Sequence, residues 1–287
     1  IWCGPDFPTD QRQDDINSLC FDTEPLENSV SILGASEFKV AIISDQDCGQ
    51  IIVRLCDVSP SGSSKRISYG VLNLAMRNGL DCPKLVVAGE VMNVSIKLDD
   101  TGYQIPVGHR LRLAVSSAYF PLIWPAPKKA KLTLDLASSC LTIPCHDRSA
   151  TLVRDLGQGY VCPVKKTKKI RPEKHDRVIQ TDARDGLVTT KINDDFGEFT
   201  FVEHNLTVGE SCNETHSILP DDPYSASSEC CWHSHQSRPG WNVNVYTQLK
   251  VICDAEYFYL NSSIEALENG VQIHQSQSQE KLPRGFS

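Results

Sequence analysis

Cysteine and histidine side chains are concentrated in one short run, Cys230-Cys231-Trp232-His233-Ser234-His235. Residues two apart on a strand share a face, so Cys231, His233 and His235 would present one thiol and two imidazoles, which zinc and copper accept as ligands. The usual spacing of structural zinc sites is absent, however, and on one strand such side chains lie about 7 Å apart. We therefore predict a solvated strand face with one disulfide cysteine, and we assign no metal ligand and no cofactor.

A serine nucleophile of the α/β-hydrolase type is expected within Gly-x-Ser-x-Gly at a strand-to-helix turn. The chain contains no such motif, and its nearest approach, Gly209-Glu210-Ser211-Cys212-Asn213, lacks the second glycine and is predicted to be a loop. Paired carboxylates flank the predicted strands, where turns favour aspartate, and they do not indicate an acid–base pair. No catalytic residue is predicted, and this chain alone is not predicted to be an enzyme.

Twelve cysteines and four Asn-x-Ser/Thr sequons point to an oxidising compartment. The glycosylation candidates are Asn93, Asn205, Asn213 and Asn261. Neighbouring residues on a strand point to opposite faces, so the adjacent cysteines of the Cys/His run need different partners if they are oxidised. Connectivity cannot be read from the sequence. These features predict a secreted or luminal glycoprotein with disulfide bonds.

Charge and hydropathy restrict the partners. The net charge of -8 and the pI near 5.5 argue against a nucleic-acid surface. No apolar run approaches the about 18 residues that a membrane helix needs, so no membrane span is predicted. The basic segment at about 160–178 is interpreted as a solvated surface connection rather than a polyanion site. The chain begins at Ile1 without Met, which favours a fragment, a cleaved subunit or a processed chain.

Alternation of apolar and polar residues with period two dominates the chain and predicts half-buried strands. Met92, Val94 and Ile96 share one face, for example, while Asn93 and Ser95 share the other. Proline- and glycine-rich turns separate such runs, and residues 228–250 are predicted to form a hairpin. The fold class predicted is all-β: a two-sheet antiparallel jelly-roll sandwich with long connections, as a single domain over 1–287.

Many short blocks of the sequence, in a fixed order, carry a family resemblance. They include Cys3-Gly-Pro-Asp6, Ser18-Leu-Cys-Phe-Asp22, Ile52-Val-Arg-Leu-Cys-Asp-Val58, Pro106-Val-Gly-His-Arg-Leu-Arg-Leu113, Ser117-Ala-Tyr-Phe-Pro-Leu-Ile-Trp-Pro125, Asp194-Asp-Phe-Gly197, Pro220-Asp-Asp-Pro223 and Lys281-Leu-Pro-Arg284. The series resembles the C-terminal domain of the cocaine-esterase and X-Pro dipeptidyl-peptidase-like serine hydrolases. That likeness covers nearly the whole chain.

The resemblance implies a jelly roll of the galactose-binding type that packs against a preceding α/β-hydrolase domain and helps to wall its active site. In that family the catalytic Ser, Asp and His all lie in the preceding domain, so no catalytic residue is carried over to this chain. The implied partner is an α/β-hydrolase domain or subunit, and the implied activity of the parent protein is ester, amide or X-Pro peptide hydrolysis.

Two hypotheses remain open from the sequence. In the first, the chain is the non-catalytic β-sandwich domain of a serine hydrolase and stabilises that enzyme. In the second, it is a stand-alone secreted jelly roll that binds carbohydrate or self-associates in an extracellular structure. The many cysteines and the sequons favour the second hypothesis slightly, and the start at Ile1 favours the first.

Overall fold

The computed structural model describes residues 10–146, 155 and 157–286. These residues form two compact units: residues 10–146 with Phe286, and the described residues from 155 to 285. The block Cys3-Gly-Pro-Asp6 lies outside the described residues. The single domain expected over 1–287 stays a prediction, because two compact units can still unfold as one cooperative domain.

The first unit contains a five-residue helix and nine strands. Their bounds are α1 Arg12–Ile16, β1 Leu19–Asp22, β2 Val30–Gly34, β3 Glu37–Ser44, β4 Gln50–Val58, β5 Ser64–Asn73, β6 Val91–Lys97, β7 Thr101–Ile105, β8 Arg110–Ser116 and β9 Leu132–Thr142. The strands make sheets in the orders β1-β8-β4-β5, β2-β7 and β6-β3-β9. One buried apolar cluster draws side chains from strands of all three sheets, as two packed layers require.

Strand β4 is buried along its whole length. Ile51, Val53 and Leu55 point into the apolar cluster on one face. Because side chains alternate, Arg54 belongs to the other face, where it contacts Asp15 of α1. Helix α1 therefore lies against the outer face of β4 at Arg54.

The second unit contains eight strands. Their bounds are β10 Thr167–Arg171, β11 Lys174–Thr181, β12 Val188–Phe201, β13 Leu206–Leu219, β14 Asp222–Arg238, β15 Trp241–Cys253, β16 Tyr257–Glu268 and β17 Val271–Pro283. They form one sheet in which β12 to β17 follow one another as a meander, while β10 and β11 both pair with β12. The predicted hairpin over 228–250 is confirmed by the pairing of β14 with β15.

All the ladders between the described strands are antiparallel, which confirms the predicted all-β class. No helix in the described ranges is long and apolar enough to cross a membrane. Two local predictions need correction. The loop expected at Gly209–Asn213 is part of strand β13. The basic segment is exposed as expected, but it also supplies strands β10 and β11.

Charge explains why the basic segment pairs as strands. Strand β12 carries Asp194 and Asp195, which lie opposite the start of β11. Arg177 contacts Asp194 at 3.2 Å, and Arg171 forms an ion pair with Asp195. Opposite charges on facing strands stabilise a pair that a lysine-rich segment would otherwise form poorly.

Candidate functional site

A polar groove of about 240 Å³ lies on one face of the second unit's sheet. Its lining includes Arg171, Glu198, Glu210, Ser211, His233, His235, Asn242 and Asn244. These residues come from β10, β12, β13, β14 and β15, and the ladder register places them side by side. Gly209 forms part of the groove, and an added Cβ there would lie 3.3 Å from Cγ of Glu198. The missing side chain therefore keeps the groove open.

A chain of hydrogen bonds crosses the groove. Nε2 of His233 donates to Oδ1 of Asn244 at 2.9 Å, and the Asn244 amide donates to Oδ1 of Asn242 at 2.7 Å. The Asn242 amide in turn lies 3.3 Å from Nε2 of His235. These contacts have one consistent direction when the proton of His235 is on Nδ1, which faces Glu198 at 3.9 Å.

Tyr246 and Arg171 flank this chain of hydrogen bonds. The imidazole of His233 stacks on Tyr246 with the ring centroids 4.4 Å apart. Nε of Arg171 lies 3.9 Å from the Glu198 carboxylate. The groove thus offers amide, imidazole, carboxylate and guanidinium groups in fixed orientations, which suits binding of a polar ligand.

Cys231, His233 and His235 lie half-buried on one face of β14. The two imidazoles contact Asn244 and Asn242 of the neighbouring strand. Cys231 is paired in the ladder with Asn213 and Gln248, and not with the two asparagines that contact the histidines. Cys230 takes the opposite face, beside Leu249, as alternation predicted.

Ser211 of the incomplete nucleophile motif lies directly opposite His233 in the ladder. The Nε2 atom of that histidine is already engaged with Asn244, and the serine sits in the middle of β13 rather than at a strand-to-helix turn. A hydrolase nucleophile needs an exposed elbow and a base directed at its hydroxyl. The pair therefore does not form the arrangement that acyl transfer requires.

All four glycosylation candidates are exposed. Asn93 lies in β6, Asn213 in β13 and Asn261 in β16, while Asn205 follows β12 with a left-handed backbone at φ 46°. Exposure is necessary for a glycan but does not demonstrate one, so glycosylation stays a prediction. The same holds for disulfide bonds and for the secreted location.

Arg54 and Asp57, which belong to the block at residues 52–58, make structural contacts in the first unit. Besides Asp15, the Arg54 guanidinium donates to Oε1 of Gln11 at 3.0 Å and to Oγ of Ser18 at 2.8 Å. On the same strand, Asp57 accepts a bond from the Tyr103 hydroxyl at 2.9 Å. Both Nη groups of the buried Arg54 guanidinium therefore face oxygen acceptors, as a buried charge requires, while its Nε makes no hydrogen bond among the described residues.

The turn at residues 106–109, directly before β8, makes a similar contact. Nδ1 of His109 lies 2.7 Å from Oδ1 of Asp57, which is nearly buried. Burial raises the pKa of Tyr103 to about 12, and its hydrogen bond to Asp57 adds to the effect. These groups fasten the turn to β4, so their role is structural.

The first unit is thus an antiparallel β-sandwich around one apolar cluster, with buried polar contacts that are structural. The family model described as the X-Pro dipeptidyl-peptidase C-terminal non-catalytic domain matches residues 4–178. The chain belongs to this family.

Individual relatives match shorter ranges of the chain than the family model does. Cocaine esterase of Rhodococcus sp. (strain MB1 Bresler) is 32% identical over 122 residues, which is 41% of this chain and 21% of that protein. Xaa-Pro dipeptidyl-peptidase of Streptococcus pneumoniae serotype 19F (strain G54) is 33% identical over 96 residues, which is 33% of this chain and 13% of that protein. The matched part thus spans about a fifth or less of these relatives.

Two solved structures are similar to part of the chain. An alpha-amino acid ester hydrolase covers 48% of this chain with 22% identity and a TM-score of 0.46, and 27% of that structure is matched. A CocE/NonD family hydrolase from Staphylococcus aureus covers 36% with 14% identity and a TM-score of 0.34, and 23% of that structure is matched.

Proposed function

We propose that this chain is the non-catalytic β part of a serine hydrolase of ester, amide or X-Pro peptide bonds. In this proposal a separate α/β-hydrolase domain carries the nucleophile, and this chain helps to wall the active site and stabilises the enzyme. The observation that carries the proposal is the family membership over residues 4–178. The names of the curated relatives, an esterase and a dipeptidyl-peptidase, supply the substrate classes.

The connection between β5 and β6 is suited to contact such a domain. Its side chains Leu80, Leu85 and Val87 are 86%, 65% and 50% exposed, while Val86 between the last two is buried. Neighbouring apolar side chains that stay exposed in one segment are characteristic of interaction surfaces. We therefore assign this connection, residues 77–90, to the contact with the catalytic domain.

Arg77 holds the connection in a defined shape. Its Nη1 donates to the carbonyl oxygens of Leu74 and Lys84, each at 2.7 Å, and its Nη2 donates to that of Leu85 at 3.2 Å. The backbone amide of Lys84 also donates to the carbonyl of Ala75 at 2.8 Å. A pre-ordered segment loses little conformational entropy when it binds, which favours a stable contact.

The first test is the size and activity of the native protein. Intact mass should reveal a catalytic chain associated with or continuous with this one, and the native species should cleave a chromogenic acyl ester. A native species of 31.8 kDa plus glycans, without ester cleavage, would overturn the proposal.

The second test addresses the contact. In the native hydrolase, replacing Leu80 and Leu85 by Asp should weaken docking by about tenfold or more, because buried interface anchors each contribute more than about 1 kcal/mol. The matched control is Val107→Asp, since Val107 is 60% exposed in a different turn of the same unit. If the double leucine variant and the Val107→Asp control affected ester cleavage equally, residues 77–90 would not form the contact with the catalytic domain.

Carbohydrate binding is the second candidate function, and the polar groove favours it. Sugar hydroxyls both donate and accept hydrogen bonds, and the groove presents amides and imidazoles that do the same. Asn244→Ala should abolish heat of binding in calorimetry against a panel of monosaccharides, whereas Asn261→Ala, an exposed asparagine on β16, should leave it unchanged. Absence of binding by the unmodified chain would rule this function out.

A further inference from the structure

A second cluster of reactive side chains lies on the sheet face opposite the polar groove. The facing positions Glu214 of β13 and Cys230 of β14 are directly paired in the ladder, and Cys212 lies two residues before Glu214 on the same face. The two thiol sulfurs and a carboxylate oxygen of Glu214 all lie within 4.8 Å of one another. Residues on two adjacent strands therefore converge where residues along one strand cannot.

We propose that Cys212, Cys230 and Glu214 form a binding site for one thiophilic divalent ion of the zinc type. The site takes two thiolates and one carboxylate from the protein and leaves one position of a tetrahedron for water. It is separate from both functions proposed above.

The distances fit a tetrahedral ion. Two thiolates at about 2.3 Å from zinc, separated by a tetrahedral angle, lie about 3.8 Å apart. The sulfurs of Cys212 and Cys230 are 3.6 Å apart. Oε1 of Glu214 lies 3.9 Å from the Cys212 sulfur, where about 3.5 Å would be expected for a shared ion. Shifts of a few tenths of an ångström would complete the coordination.

A second layer of contacts orients the carboxylate. Oε2 of Glu214 accepts a bond from Nε2 of His216 at 2.9 Å, and Nδ1 of His216 lies 2.8 Å from Oγ of Ser228. Oε1 of the same carboxylate lies 3.9 Å from the Cys212 sulfur. Outer contacts of this kind are general at metal sites, where they fix the ligand and its charge.

The cluster is open to solvent on one side. Asp194 lies directly opposite Cys212 in the ladder, but it is engaged by His175 and Arg177, so the protein ligands are the two thiols and Glu214. Cys230 also lines an open groove of about 440 Å³, which gives an ion and a water ligand a path to the site.

A disulfide between the same cysteines is the main competitor. A disulfide bond holds its two sulfurs at about 2.05 Å, which is much shorter than the 3.6 Å between the sulfurs of Cys212 and Cys230. A disulfide would join only the two sulfurs, whereas an ion would also bind the Glu214 carboxylate that lies within 4.8 Å of both.

The test is metal binding by the full chain after reduction and removal of metal. Cobalt(II) should bind at one per chain and give the near-ultraviolet thiolate charge-transfer band, and zinc should displace it. Cys230→Ser should weaken binding by more than the about 10–100-fold typical of outer-contact mutations, and Glu214→Gln should weaken it by at least about tenfold.

Cys231→Ser is the matched control. It removes the neighbouring thiol from the opposite face and leaves the same number of cysteines as Cys230→Ser, so it should bind cobalt as the unmodified chain does. Far-ultraviolet circular dichroism of the metal-free variants checks that each is folded.

Three results would overturn the proposal. They are equal binding by Cys230→Ser and Cys231→Ser, absence of the charge-transfer band in the unmodified chain, and a Cys212–Cys230 cross-link in the native protein that yields no metal site after reduction.

Discussion

The two units use β-strands in different ways. In the first unit, strands of three sheets enclose one apolar cluster, and β4 is buried on both faces. In the second unit, strands of up to seventeen residues follow one another in a single sheet, where the buried apolar side chains among the described residues are Ile192, Cys212, Ala226 and Cys253. The first unit therefore depends on burial, and the second on its ladders and cross-strand pairs.

This difference explains where chemistry can occur. A side chain inside the first unit's cluster is surrounded by apolar atoms, and its few buried charges are engaged with one another. Side chains on the second unit's sheet remain half-exposed on both faces, so the polar groove and the Cys212–Cys230 cluster occupy opposite faces of one layer.

The largest effect should follow from Asp15→Ala. Its carboxylate contacts Arg54 at 3.1 Å and Arg112 at 2.9 Å, and Arg54 is 1% exposed. Removing one partner leaves a buried charge uncompensated, so the free energy of unfolding should fall by about 3–5 kcal/mol in urea titrations. Asp47→Ala, which breaks the exposed pair with Lys128, should cost less than about 1 kcal/mol. If both variants lost similar amounts of unfolding free energy, burial would not be what makes the Asp15–Arg54 pair important.

Truncating apolar side chains compares the units directly. Leu55 in β4 is fully buried, whereas Leu249 in β15 is 41% exposed. Leu55→Ala should lower the free energy of unfolding by about 2–5 kcal/mol, because it removes buried area and leaves a cavity. Leu249→Ala should cost about 0.5 kcal/mol. If urea unfolding showed a comparable loss at Leu249, the second unit's sheet would have to be covered in solution.

A glycine in the second unit tests the packing of β10 and β11 against β12. Gly197 has φ 80°, and an added Cβ would lie 2.8 Å from the carbonyl oxygen of Arg171. Gly240 has φ 79° but open space around it. Thermal unfolding should show Gly197→Ala to be about 1–3 kcal/mol more destabilising than Gly240→Ala, since both share the backbone strain and only the first clashes. Equal effects would mean that the two edge strands move freely.

The smallest effect concerns acid stability of the first unit. Hydrogen bonds from Arg112 lower the pKa of Asp22. A carboxylate whose folded pKa is depressed stabilises the fold above its unfolded value, near about 4, and loses that contribution as the pH falls through the folded value. Asp22→Asn should therefore cost less than about 1 kcal/mol at pH 7 and nothing at low pH. A difference that persisted at low pH in urea titrations would exclude this explanation.

Sequence reasoning found the strands but missed some of their partners. The hairpin predicted over residues 228–250 is present as the pairing of β14 with β15. The lysine-rich segment was not predicted to form strands, because its stability comes from the acidic residues of β12 rather than from its own residues. The converging thiols were missed for a similar reason: Cys212 and Cys230 are eighteen residues apart. Cys212, Glu214 and His216 do show period-two spacing, which was the available signal.

The all-β class, the family and the opposite faces of Cys230 and Cys231 follow from the sequence, because period-two alternation and short motifs are local properties of the chain. Which side chains meet depends on the tertiary structure. The partners of Arg54, the hydrogen-bonded chain from His233 to His235 and the pairing of Cys230 with Glu214 depend on strand order and register. A shift of register by one residue would exchange the two faces of a strand and separate every one of these groups.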